Sequence, residues 1–315
     1  MTTILDRSQL EVILPHRGVN LFVDQVTVSA DQQSSSSRIR LSDVPGSCLL
    51  MTRSGAAGRL WYEPFLAELL ALTGAPLVSA QLPVGQVAAF GMMSRVRFGV
   101  APPIDGEVMA EVTVLRRRDQ TTFFRARAEH LGVCILEAEV ASSVVDLRLF
   151  SPATEQTPVV DAGIPICMSA FAWKDSSLRL LDVILSEDAT SRRLVAGFTF
   201  SSCHPFVSGH FPTAPLMMGV LQWAAMVDAV WLAHQRFGDA RATSIVANGA
   251  VRRADGSLVA EIKELRIDII DGAPFIRETK RIIFREPVHL RDRIVVEVTL
   301  VAQDSAQPAV ASASS

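Results

Sequence analysis

The sequence has few of the residues that build disulfide scaffolds or nucleic-acid interfaces. Its 315 residues include one tyrosine and four cysteines, 20% are charged, and the net charge is −3. The cysteines form no CxxC pair, which excludes a small disulfide scaffold and favours a reducing compartment. The low, nearly balanced charge excludes a general nucleic-acid-binding protein.

Several catalytic signatures are also missing. The sequence contains no GxSxG, P-loop, GxGxxG or HExxH motif, which excludes the usual serine hydrolases, nucleotide-binding enzymes and zinc proteases. Cys203 and His204 are adjacent, but no carboxylate at a suitable spacing supports a metal site. We therefore expect neither a metal nor a cofactor.

The longest apolar stretch, residues 214–233, is long enough for a transmembrane helix. Pro215, Gln222 and Asp228 interrupt it, so a helix buried within protein is the better interpretation. The opening residues do not have the pattern of a secretory signal. We expect a cytoplasmic protein with no membrane partner.

The apolar content of 49% is sufficient for a large core, and the length suggests two domains. Residues 149–170 carry three prolines without a helical or strand period, which predicts a linker. The prediction is thus a first unit at 1–148, a second at 171–303, and a small, polar, disordered tail at 304–315.

The two halves have the same order of elements. Each begins with two short β-branched segments, continues with one apolar helix, and ends with several long strands. The helices are predicted at residues 61–72 and 219–237. This repeat predicts an α+β fold in which an antiparallel sheet surrounds one helix, twice over.

Three segments resemble one family. Residues 209–221, GHFPTAPLMMGVL, resemble the active-site segment of the hotdog-fold 3-hydroxyacyl-[acyl-carrier-protein] dehydratases. Residues 13–26, ILPHRGVNLFVDQV, resemble the opening segment of these enzymes, and residues 135–145 resemble their closing strand. The resemblance implies a double hotdog, in which two hotdog units pack as the subunits of the family's homodimer do.

In this family a histidine takes the α-proton, and an acid on the helix of the other unit protonates the leaving hydroxyl. The resemblance implies that His210 is the histidine of the second half. The acid position of that half, five residues after Gly219, is occupied by Ala224.

The first half shows the opposite pattern. If Gly58 corresponds to the helix-start glycine, Glu63 is the acid, and Leu49 occupies the histidine position. The prediction is one composite catalytic site, His210 with Glu63, and a second site without chemistry. Glu68, five residues further along the helix, is the alternative acid.

Other residues receive roles by the same resemblance. Gly219, Val220 and Pro215 are expected to bind the substrate, with backbone amides as oxyanion donors. His16 is expected to be structural. Gln222 and Asp228 are expected to make packing hydrogen bonds.

Two features depart from the family pattern. Thr213 and Met218 replace its usual glycine and proline. The hairpin expected after the last strand is also missing, while a similar segment, residues 245–262, occurs earlier. Either this segment supplies the missing strands from a rearranged position, or the second sheet is truncated.

The resemblance implies a dehydratase that forms trans-2-enoyl thioesters from 3-hydroxyacyl thioesters on an acyl carrier protein. The unequal halves are similar to the paired dehydratase subunits of aryl-polyene pathways, so a polyene or polyketide pathway is expected. A ketosynthase or ketoreductase is a possible partner, and the chain is expected to be a pseudo-dimeric monomer or a homodimer. A non-catalytic acyl- or carrier-binding subunit and a hotdog thioesterase are the alternatives.

Overall fold

A computed structural model describes residues 1–301 except 45, 47–49, 57, 84 and 151–161. Leu49, the tail at 304–315 and half of the predicted linker lie outside the described residues. The described end of that linker contributes a short strand at the edge of a sheet.

The described helices are α1 (Arg7–Ile13), α2 (Glu63–Gly74), α3 (Pro76–Ser79) and α4 (Gly219–Phe237). The strands are β1 (Thr3–Asp6), β2 (Gln25–Val28), β3 (Ser34–Ile39), β4 (Thr52–Gly55), β5 (Gly58–Trp61), β6 (Gln86–Phe98), β7 (Val108–Arg118), β8 (Thr121–His130), β9 (Val133–Asp146), β10 (Ile164–Pro165), β11 (Val183–Asp188), β12 (Arg193–Thr199), β13 (Ser244–Arg253), β14 (Leu258–Ile270), β15 (Ala273–Phe284) and β16 (Arg293–Leu300).

Fourteen of the described strands form one antiparallel sheet. Its order is β1-β2-β3-β7-β8-β9-β6 in the first unit, followed by β15-β14-β13-β16-β12-β11-β10 in the second. The two units join where β6 pairs with β15, with Met93 opposite Ile282. Strands β4 and β5 form a separate hairpin just before α2.

Each unit surrounds one helix. All twelve residues of α2 are buried, and the helix packs on β3, β7 and β8. The first fourteen residues of α4 after Gly219 are buried, and this helix packs on β12, β13, β15 and β16. A helix that is apolar on all sides requires such an enclosure. The predicted double hotdog of the α+β class is confirmed.

The part of the sheet that belongs to the second unit is complete, but its strands are connected differently from those of the first unit. From β12 its order is β16, β13, β14, β15, where the first unit has β7, β8, β9, β6 after β3. Strands β13 and β14 therefore occupy the positions of β8 and β9, and the last strand, β16, takes that of β7. The segment at 245–262 thus supplies strands from a rearranged position, and the sheet is not truncated.

The bounds of one helix, α2, differ from those predicted. Helix α4 has the expected bounds, whereas α2 begins at Glu63, with Tyr62 as N-cap and a proline in the first turn. Proline is favoured there because it has no N–H to leave unpaired. None of the helices in the described part of the chain has the length and apolarity that a membrane span requires.

Candidate active site

A cavity of about 400 Å³ lies between the two units. Its walls come from α2, β6, the loop before α4, the first turn of α4, and residues 284–287. The cavity brings together His210 from the second unit with Glu68 and His16 from the first. The remaining wall is mainly apolar, as is typical of a pocket for a hydrophobic chain.

His210 has a defined tautomer. Its Nδ1 lies 3.1 Å from the carbonyl oxygen of Leu216. A carbonyl oxygen only accepts, so Nδ1 carries the hydrogen and Nε2 keeps its lone pair. Burial lowers the pKa of His210 to about 4. At neutral pH the ring is therefore an uncharged base.

Glu68 lies on the inner side of α2 with 7% of its surface exposed. Burial raises the pKa of its carboxyl to about 7, because the apolar surroundings disfavour the charged form. A substantial fraction of Glu68 is therefore protonated at neutral pH. The cavity thus contains a neutral base and a neutral acid.

His16 lies beside both groups, although it was expected to be structural. Its Nε2 is 3.8 Å from Glu68 Oε1, and its ring centroid is 5.1 Å from that of His210. Burial is the main reason that the pKa of His16 lies well below its usual value, and repulsion between the protonated forms of His16 and His210 lowers it further. Its segment at 13–26 carried the family resemblance, but no spacing linked it to a loop almost two hundred residues away.

Glu63, the expected acid, is not among the residues that line this cavity. Its carboxylate forms an ion pair with Arg53 at 3.1 Å, and both side chains are almost fully buried. The Arg53 guanidinium packs on the rings of Phe275 and Trp173, at 3.5 and 5.1 Å from their centroids. Burial raises the pKa of Glu63, and Arg53 opposes that shift.

The expected pairing of His210 with Glu63 is therefore corrected to His210 with Glu68. Helices α2 and α4 begin at Glu63 and Gly219, so Glu68 and Ala224 are each the sixth residue of their helix. Gly58 belongs instead to β5, where its φ of +119° suits the end of a tight hairpin. Because Gly58 lies five residues before the start of α2, counting from it identified Glu63 as the acid in place of Glu68.

Gly219 and Val220 line the cavity at the first turn of α4. Backbone N–H groups at this position have no partner within a helix, and the helix dipole makes them favourable to negative charge. Pro215 is half-buried in the preceding loop and is not among the lining residues.

A buried ion pair lies one helical turn after Ala224. Ala224 is fully buried, and Leu49 lies outside the described residues. Asp228, one turn after Ala224, pairs with Lys174 at 2.5 Å, with both side chains buried. The packing role expected for Asp228 agrees with this contact.

The described residues contain no cluster of three or more potential metal ligands. His204, next to Cys203, is buried among aromatic rings, and this burial lowers its pKa to about 4. Its Nδ1 accepts a hydrogen bond from the backbone N–H of Phe206 at 3.5 Å.

Comparisons with known proteins give a partial match. Residues 174–269 match the family model of the FabA-like domain. Two 3-hydroxyacyl-[acyl-carrier-protein] dehydratases FabZ, from Chlamydia trachomatis and Chlamydia muridarum, are each 46% identical over 50 residues. That segment is 16% of this chain, and the match spans only 33% of the length of these relatives.

Solved structures give more distant likenesses. The dehydratase heterocomplex ApeI:P from Xenorhabdus doucetiae is 14% identical, covering 44% of this chain and 91% of that chain, with a TM-score of 0.36. A structure concerning dehydratase substrate selection in the borrelidin and fluvirucin polyketide synthases is also 14% identical, covering 92% and 95%, with a TM-score of 0.44. The fluoroacetyl-CoA thioesterase FlK is 12% identical, covering 38% and 89%, with a TM-score of 0.31.

Because these structural likenesses are low in identity and TM-score, the fold assignment rests on the strand order of this chain. The matched segment contains the His210 loop and α4, the most specific part of the resemblance seen in the sequence. That match supports the resemblance to the hotdog dehydratases over residues 174–269, and it does not extend to the first unit.

Proposed function

We propose that this chain is a dehydratase that removes water from 3-hydroxyacyl thioesters at one composite site. The observation that carries the proposal is the cavity in which His210 of one unit and Glu68 of the other meet. Elimination from an unactivated alcohol requires a base for the α-proton and an acid for the leaving oxygen. A carboxyl with its ordinary pKa would be ionised at neutral pH and could not give a proton, whereas burial keeps a substantial fraction of Glu68 protonated.

The reaction proceeds with four changes. Nε2 of His210 takes a proton from C2, and the electron pair forms the C2=C3 bond. The C3–O bond breaks as the Glu68 carboxyl gives its proton to the leaving oxygen, which departs as water. The imidazolium and carboxylate that result return to their neutral forms by transfer of one proton.

The first turn of α4 supports this chemistry. As C2 loses its proton, negative charge develops on the thioester oxygen. We assign the backbone N–H groups of Gly219 and Val220, two residues of the cavity wall, as the donors to that oxygen, and the helix dipole adds to the stabilisation. We assign no role in binding the thioester to Pro215, which lies outside the cavity wall.

The finer features of the proposal concern partners and pathway. An acyl carrier protein presents the substrate on its phosphopantetheine arm, and a ketoreductase step supplies the 3-hydroxyl group. A polyene or polyketide pathway is favoured because only one of the two pseudo-equivalent helix positions carries an acid, Glu68 and not Ala224. No cofactor is required for these proton transfers.

The experiment is a mass-spectrometric assay on carrier-bound 3-hydroxyacyl substrates of several lengths. The wild type should convert them to products lighter by one water, whereas His210→Ala and Glu68→Gln should lose at least about 100-fold in rate. Glu63→Gln is the matched control and should retain the wild-type rate per folded molecule.

Two outcomes would contradict the proposal. If the wild type binds acylated carrier and converts none of it, a non-catalytic binding subunit is the better assignment. Release of free acid in place of an enoyl product would indicate a thioesterase.

A further inference from the structure

Gln222 belongs to the wall of the same cavity, although the sequence predicts only a packing hydrogen bond for it. It lies in the first turn of α4, three residues after Gly219, and its side chain lines the cavity with Glu68 and His210. Only 3% of its surface is exposed. Its environment is therefore the cavity and the protein interior.

The Gln222 side-chain carbonyl has no hydrogen-bond donor among the residues that the structure describes. Its Oε1 is buried without a partner in the described part of the chain. A buried acceptor left unpaired costs on the order of 1–3 kcal/mol, so most native structures avoid it. The residues four positions before and after Gln222 are Met218 and Met226, and neither side chain can donate a hydrogen bond. An unpaired amide in the wall of a cavity is accounted for by a ligand that supplies the donor.

The helix geometry indicates which part of a ligand Gln222 reaches. Residues three apart share one face of a helix, and side chains incline toward the N-terminus. The Gln222 amide therefore lies over Gly219, next to the N–H groups assigned to the thioester oxygen. In a 3-hydroxyacyl thioester the 3-hydroxyl oxygen is separated from the carbonyl carbon by two carbon atoms, so it falls within reach of this amide.

We infer that Gln222 binds the 3-hydroxyl group of the substrate and is a specificity-determining residue. The hydroxyl donates its hydrogen to Gln222 Oε1, while its oxygen faces Glu68 and accepts the proton of that carboxyl. When the C3–O bond breaks, the oxygen leaves as water with both hydrogens accounted for. The inference rests on the proposed function, because it assigns the substrate contact of the same site.

The test measures binding with the full chain in a Glu68→Gln background, which cannot complete the reaction. Two probes are compared by calorimetry, a 3-hydroxyacyl pantetheine thioester and the same thioester without the hydroxyl. A site that pairs a substrate hydroxyl discriminates strongly against the analogue that lacks it. With Gln222 present, the hydroxylated probe should bind at least about 10-fold more tightly than the hydroxyl-free probe. The expected factor is modest because the free hydroxyl already forms hydrogen bonds with water.

The variant Gln222→Met keeps the length of the side chain and removes the amide. It should bind both probes equally, with the affinity for the hydroxyl-free probe within about 3-fold of the parent. Gln235→Met, on the exposed end of the same helix, is the matched control and should leave the discrimination intact. Equal discrimination with and without the Gln222 amide would overturn the inference.

The failure of the inference and the failure of the proposed function are distinguishable. If the wild type forms enoyl product but Gln222→Met still prefers the hydroxylated probe, only the role of Gln222 is wrong. If the wild type forms no enoyl product, yet the preference depends on Gln222, the site binds 3-hydroxyacyl groups without dehydrating them. Loss of binding of both probes in a folded Gln222→Met variant would also contradict the inference, since it indicates general damage to the cavity.

Discussion

At the scale of single residues, burial prepares both groups of the proposed reaction. It disfavours the imidazolium of His210 and the carboxylate of Glu68, so the pKa values of the two move in opposite directions. The base and the acid are then both neutral between these values. Burial in one apolar cavity therefore lowers the pKa of the base and raises the pKa of the acid.

The pH profile follows from these shifts. Neutral His210 requires a pH above about 4, and protonated Glu68 requires a pH below about 7. We expect kcat/KM for dehydration to be highest between these values and to fall on both sides, by about 10-fold per pH unit for each group. Steady-state rates across pH 3–9 check this, and a rate that increases through pH 8 would contradict the assignment of Glu68 as the acid.

His16 offers a second prediction at this scale. Its ring fills the space beside the Glu68 carboxyl, and burial is the cause of the raised Glu68 pKa. His16→Ala should admit water, so the alkaline limb of the pH profile should move to lower pH by about one unit.

The control for this prediction is His16→Phe, which preserves the ring that packs at 5.0 Å against Phe211. It should leave the alkaline limb near pH 7. An unchanged limb in the alanine variant would show that His16 does not keep water from Glu68.

At the scale of elements, the Arg53–Glu63 pair joins the β4–β5 hairpin to the start of α2. Both side chains are buried, and two nitrogens of the guanidinium, Nε and Nη2, have no hydrogen-bond partner among the described residues. Removing one partner of a buried pair leaves an uncompensated charge. Counting from Gly58 would make Glu63 the catalytic acid, but its carboxylate is engaged in this ion pair.

Glu63→Gln is accordingly a stability variant. It should lower the free energy of unfolding by about 3–5 kcal/mol, measured by urea denaturation. Glu137→Gln, which breaks the exposed pair with Arg97 at 3.3 Å, is the control and should change it by less than about 1 kcal/mol. If Glu63→Gln changed the free energy of unfolding little but greatly reduced turnover, Glu63 would be a catalytic residue after all.

At the scale of the whole molecule, one chain supplies both halves of the composite site. The join between β6 and β15 and the contact of α2 with α4 place the His210 loop against the helix of the first unit. The rearranged strand order of the second unit preserves this join, because β15 occupies the position of β6. The fold tolerates the new connection because antiparallel pairing depends on strand neighbours and not on their order in the chain.

A mixing experiment tests this arrangement. Full-length His210→Ala and Glu68→Gln variants, combined in equal amounts, should stay inactive because each chain contains one damaged site. Recovery of activity in the mixture, to roughly a quarter of the wild-type rate as expected for random exchange of units between chains, would show that the site forms between two copies.

The sequence by itself determined the class of fold and the two buried helices, and it singled out His210, which lines the cavity. These depend on local patterns: apolar periodicity, β-branched strands, and a segment dense in glycine and proline around one histidine. They remain readable without contacts. The sequence left two alternatives for the strand order of the second unit, because the order of strands in a sheet is not encoded in any one strand.

The tertiary structure decided which acid faces His210, where His16 lies and what Gln222 lacks. Glu63 and Glu68 both occur on α2, and a difference of five residues turns a side chain to another part of the core. The β4–β5 hairpin separates Gly58 from the helix start, so counting along the chain could not choose between the two acids. Burial, which sets the protonation of His210 and Glu68, arises only when the two units close around the cavity.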